Sequence, residues 1–165
     1  MSVSKKDLEI VAQQIQRTPR GVRQIAHRCS CSGPTVVENE PRLETGEPFP
    51  TLFYLTCPRL ASAVGMLEST NVMKDFEKLL SESSQLQAQY QAAHEDYLSR
   101  RDAIEVLPET KDFSAGGMPT RVKCLHALVA HSLAVGPGIN PIGDQALNMI
   151  APWWSVESCV GSKDE

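Results

Sequence analysis

The sequence predicts an α+β fold: a small, antiparallel sheet near the N-terminus packed by several helices. Three observations carry this expectation. Short β-branched segments flank a Ser-, Gly- and Pro-containing turn at residues 29–34. An aromatic and apolar run, Thr51 to Thr56, follows them as the strongest strand candidate. From Pro58 onward, apolar residues recur at helical spacing.

The first element, Ser4 to Gln16, reads as a helix. Ser4 can cap it with Asp7 three residues on, and Leu8, Val11 and Ile15 form one stripe. Val22 to Arg28 and Thr35 to Glu38 read as short strands around the 29–34 turn, with a further turn at Glu44 to Glu47. Pro58 suits a first helical position, and Leu60, Val64 and Leu67 follow at helical spacing. Asn71 can cap the next helix, with Phe76, Leu79 and Leu80 as its apolar face. Leu86, Tyr90, Ala93, Tyr97 and Ile104 trace a longer, Gln-rich helix. After a loop from Leu107 to Gly117, Pro119 is expected to open a helix to about Val135, which Gly136-Pro137-Gly138 ends. Asn140 to Asp144 reads as a turn before a short helix to Ile150.

A chain of 165 residues fits one domain, here residues 4–150, with residues 151–165 as a flexible tail. Trp153 and Trp154 could pack back on it or mark a contact surface. The net charge of −4 argues against a generally nucleic-acid-seeking or membrane-seeking protein. No apolar run approaches the ~18 residues a membrane span needs. The polar start, Met1 to Lys6, leads into no signal core, so a cytoplasmic location is expected. In that compartment five cysteines, an odd number, read as thiols, metal ligands or redox groups rather than structural disulfides.

Three clusters could carry chemistry. In His27-x-Cys29-x-Cys31 the thiols and imidazole are ligand types that zinc prefers, although a tight turn with a surface histidine explains them too. Cys57 stands beside a helix start, where the partial positive charge favours a thiolate; a buried structural thiol is the alternative. Gly116-Gly117 ahead of Pro119 suggests an anion-binding helix start, with Arg121 and Lys123 as a clamp for a phosphate- or carboxylate-bearing ligand. On that helix Cys124 and His131 would stand about 10 Å apart, and Cys124 and His126 would diverge by about 200°. A zinc site would therefore draw on Cys29, Cys31, Cys57 and Cys124, with His27 as an alternative ligand, leaving His126 or His131 for proton transfer. His94, in a long polar helix, reads as a surface residue, and Cys159 falls in the tail.

Several stretches carry a resemblance: His27 to Cys31, Pro41-Arg42-Leu43, Pro48 to Pro58, His94 to Leu98, Gly116 to His131 and Gly136 to Asp144. In order and spacing the chain resembles an actinobacteria-rich family of bacterial proteins known as domain of unknown function five hundred and one. The resemblance covers roughly residues 10–150. It implies a bacterial, cytoplasmic protein and carries no activity with it. The family pattern has Pro between the first two cysteines and Gly after them, where Ser30 and Ser32 stand here. Three functions stay open: a metal-dependent enzyme of the hydrolase type acting on an anionic substrate; a non-catalytic zinc-stabilised module for a protein or RNA partner; and a metal-free thiol redox or nucleophilic protein using Cys57.

Overall fold

Ser4 accepts the Asp7 N–H with its hydroxyl and starts α1, Lys5–Ile15. In this computed structural model, which describes residues 3–150 and 152–153, three strands follow: β1 (Val22–Arg28), β2 (Pro34–Asn39) and β3 (Phe53–Leu55). They form an antiparallel sheet in the order β1-β2-β3, as the sequence predicts. β2 is central and almost wholly buried, in keeping with its Thr-Val-Val run. The helices are α2 (Pro58–Glu68), α3 (Val72–Glu82), α4 (Ser84–Asp102), α5 (Leu125–Val135) and α6 (Pro141–Met149). Among the described residues, no helix is long and apolar enough to cross a membrane.

Strand alternation gives the sheet two working faces. Val36, Phe53 and Leu55 join the main core with Leu125, Leu128 and Val129 of α5. Val37 and Tyr54 pair across the strands and face the other way, towards Val11 of α1. Trp153 packs against the main core, while Trp154 and Cys159 lie outside the described residues.

α4 shows why a Gln-rich helix can still be central. Tyr90, Ala93, Tyr97 and Arg101 repeat at helical spacing and are fully buried. Their polar tips hold irregular backbone in place. Tyr90 donates to the Arg121 carbonyl at 2.8 Å, and the Tyr97 hydroxyl accepts the Leu52 N–H at 2.8 Å. The Arg101 guanidinium donates to the carbonyls of Phe113 and Thr110 at 2.6 and 2.8 Å. His94 belongs to this buried set, at 8% exposure, with Nδ1 2.7 Å from the Ser114 hydroxyl. The expectation of a surface histidine is corrected: the polar residues around it conceal an inward-facing row.

Two boundaries also differ from expectation. Asn140 is the N-cap of α6, its side chain accepting the Gly143 N–H at 3.0 Å, so Pro141 begins a helix rather than a turn. The helix expected from Pro119 begins at Leu125. The chain from 119 to 124 instead folds against Gly116 and Gly117, whose positive φ angles of 66° and 96° turn it back. A Cβ on Gly117 would lie 2.7 Å from the Arg121 carbonyl oxygen.

The α5–α6 contact depends on Gly143, where a Cβ would run into the Leu128 carbonyl and the Ser132 hydroxyl. Gly143→Ala should therefore destabilise the protein by about 1–3 kcal/mol through overpacking. Gly65 in α2 has open space around it, so Gly65→Ala should stabilise by about 0.5–1 kcal/mol. Urea denaturation of the two variants checks the contrast in sign.

Candidate metal centre

At the start of α5, backbone N–H groups from 121 to 125 have partners inside the protein. Arg121 N–H donates to the Gly117 carbonyl at 2.8 Å, and those of Lys123 and Cys124 to the Gly116 carbonyl at 2.7 and 3.3 Å. Val122 N–H donates to Glu77 Oε1 at 3.1 Å, and Leu125 N–H to Glu68 Oε1 at 2.8 Å. Arg121 pairs with Glu77 at 2.8 Å. Arg121, the Val122 N–H and nearby Lys123 together hold the Glu77 carboxyl below its usual range. The segment thus meets carboxylates, as its composition suggests, but they are the chain's own. The helix start expected at Pro119 is absent, and with it the physical basis for an external anion site on Gly116, Gly117, Arg121 and Lys123.

Glu68, the last residue of α2, brings a second group to the same place. Its Oε1 lies 3.0 Å from His126 Nδ1 while capping α5. The opposite nitrogen, Nε2, is 3.1 Å from the Ala61 carbonyl. A carbonyl can only accept, so Nε2 carries a proton and the Nδ1 side faces Glu68. Cys124 precedes the helix with an extended backbone, φ −147° and ψ 106°. The 200° divergence expected of two positions within one helix therefore does not apply. The Cys124 thiol, the His126 ring and the Glu68 carboxylate place one ligand atom each within 4.8 Å of one another. Among the described residues this is the one such group of three or more.

The electrostatics match this convergence. Hydrogen bonding to His126 pulls the Cys124 thiol below its usual pKa, against the opposing effect of burial, and the Ala127 backbone N–H adds to the shift. Reciprocally, the Cys124 thiolate raises His126 to about 9, with Glu68 and the Ala61 carbonyl contributing after it. The Cys124 thiol and the His126 imidazole thus each favour the other's charged form, beside the Glu68 carboxylate. A pocket of about 410 Å³ opens beside it, lined by Phe53, Tyr54, Leu55, Ala61 and Ala127 as well as Cys124 and His126. No cationic residue except His126 lines it.

The other expected ligands lie elsewhere. Cys29 and Cys31 occupy the β1–β2 turn, where Cys29 N–H donates to the Gly33 carbonyl. His27 lies in β1, half-buried, and burial lowers its pKa. Cys57 is 1% exposed within the main core, which fits the buried structural thiol of the two readings for that position. These residues form no cluster with Cys124, so the four-cysteine zinc site is corrected to a Glu/Cys/His group containing Cys124 alone of the four.

His131 is fully buried and both its ring nitrogens are engaged. The Asn140 carbonyl oxygen accepts the Gly143 N–H, which turns its amide nitrogen towards His131 Nδ1 at 3.1 Å. His131 Nε2–H then donates to Asp96 at 2.8 Å. Burial lowers its pKa, against the pull of Asp96. Its ring stacks on Phe53 and meets Tyr97 edge-on. This geometry makes His131 a core crosslink between α4, α5 and the α6 cap, not an acid–base group facing substrate.

The fold and this group define a small α+β protein with one convergent Glu/Cys/His cluster. The family model described as a protein of unknown function, DUF501, matches residues 25–148, and the chain belongs to that family. No curated protein and no solved structure matches the chain.

In metal-free protein, proton NMR titration of His126 should give a pKa near 9, falling most in Cys124→Ser and less in Glu68→Gln. Because its pKa rises on folding, the stability it contributes is complete below about 6.5 and is lost as pH rises through about 9. A His126 pKa unmoved by Cys124→Ser would contradict the pairing.

Proposed function

We propose that Glu68, Cys124 and His126 form a transition-metal centre of the zinc class, with an open position facing the Phe53–Leu55 pocket. The observation that carries this reading is convergence of the three groups on one point. A nucleophilic relay would need the imidazole between thiol and carboxylate, one on each nitrogen. Here the nitrogen opposite Glu68 is held by the Ala61 carbonyl. That carbonyl instead does what an outer partner does at a metal site: it fixes the ring and directs the other nitrogen inward.

Thiolate, imidazole and carboxylate are all zinc ligands, and three protein ligands with an open position characterise catalytic rather than closed structural sites. A bound metal would supply a Lewis acid at the edge of the pocket. The protein's own residues would orient a neutral, largely apolar group there and shield it from water. Arg121 is paired with Glu77 and Lys123 does not line the pocket, which leaves hydrolysis of an anionic substrate there without a clamp.

A second reading, a zinc-stabilised module binding a protein or RNA partner, is favoured by one feature. Glu68 joins the end of α2 to the start of α5, so a metal there would also lock two helices together.

Protein purified without added metal should hold one equivalent of a zinc-class ion. Cys124→Ser and His126→Ala should lose it, while a Cys29→Ser/Cys31→Ser variant should keep it. Elemental analysis of the three variants decides this; metal retained in Cys124→Ser sinks the proposal. In the cobalt-substituted protein, added azide should change the visible spectrum if a coordination position is open. An unresponsive spectrum favours the module.

A further inference from the structure

The opposite face of the sheet holds a separate pocket, bounded by the end of α1, the start of β1 and the 43–49 loop. Its walls are Val11, Val22, Val37, Leu43, Phe49 and Tyr54, and its volume is about 180 Å³. An apolar protein cavity of about 150 Å³ accommodates benzene. The space therefore suits one ring or a branched chain of similar size.

Arg17 and Arg20 also line it. Elsewhere the arginines are committed to partners. Arg23, Arg28, Arg42, Arg100 and Arg121 each pair with a carboxylate, and Arg101 holds two carbonyls. Among the described residues, Arg17 and Arg20 pair with no carboxylate; Arg20 makes one long contact, 3.4 Å, to the Thr45 hydroxyl. Two guanidinium groups without a carboxylate partner thus stand at one ring-sized, mainly apolar pocket in a chain of net charge −4.

We propose that this pocket binds a small organic acid: an aromatic or branched apolar body against Val22, Val37 and Tyr54, and a single carboxylate on Arg17 and Arg20. Planar guanidinium groups match a carboxylate with paired hydrogen bonds. The charge is assigned as a monoanion because α1 ends at Ile15, beside Arg17. The partial negative charge of that helix end would oppose a phosphate dianion more strongly. The site differs from the metal centre, whose ligands lie towards α5, although Tyr54 lines both pockets.

Benzoate and its uncharged counterpart benzamide test the assignment on the full-length protein. In 1H–15N correlation spectra, benzoate should shift Val22, Val37 and Tyr54 saturably and bind about tenfold tighter than benzamide, as expected for a charge-assisted contact. Arg17→Gln/Arg20→Gln should remove that preference. Both side chains are exposed, and an otherwise unchanged spectrum will show that the variant is folded. Arg17→Lys/Arg20→Lys should keep part of the preference, since it retains charge but not the fork. No saturable binding, equal binding of benzoate and benzamide, shifts confined to other residues, or a preference that survives Arg17→Gln/Arg20→Gln would each overturn the proposal.

Discussion

One oxygen of Glu68 accepts both the first N–H of α5 and the Nδ1 side of His126. Most of the α5 end of the molecule depends on that contact. A helix start buried beside α2 would otherwise leave an amide unsatisfied. A carboxylate there also experiences the favourable end of the helix dipole. The capping contact therefore fixes the end of α2 against α5, and the same oxygen becomes one corner of the Glu/Cys/His group. Stability and candidate chemistry share an atom, which means that altering Glu68 perturbs both. Cys124 and His126 are the cleaner probes of function.

A related economy explains the glycine-rich segment. Its composition promises anion binding, and the chemistry is present: the amides of Val122 and Leu125, which donate to carboxylates, and Arg121. The anions are Glu77 and Glu68, supplied by α3 and α2. They lie more than forty residues earlier in the chain, so spacing around residue 116 carries no sign of them. Gly116 and Gly117 serve the close return of the chain onto itself, as the contacts a Cβ would make at each position show.

The sheet and most helices were legible because their signals are local: alternation in β2, the Ser4 cap, Pro58 at a first helical position. Tyr97 and Tyr90 were placed correctly on one stripe of α4. His94 was missed because its neighbours are polar and its partner, Ser114, lies in a loop. Residue type marks Cys124 as a ligand candidate, but its geometry with His126 is not legible in the sequence. The difference rests on one boundary: a helix beginning at Pro119 separates the two side chains, whereas a helix beginning at Leu125 lets the extended Cys124 meet the ring. Glu68 had no local signal at all, being one acidic residue at an ordinary helix end. His131 illustrates the converse. Its neighbours in sequence suggested an available imidazole, and only the tertiary arrangement shows Asp96 and Asn140 occupying both nitrogens.

The central claim is that a metal would be held by one sulfur, one imidazole nitrogen and carboxylate oxygen, not by a set of thiolates. X-ray absorption spectroscopy of the zinc-loaded protein measures that shell directly. One sulfur at about 2.3 Å with nitrogen and oxygen neighbours at about 2.0–2.2 Å is the expected shell. A shell of three or four sulfurs would contradict it, because Cys124 is the one thiol within reach of Glu68 and His126 in the described structure.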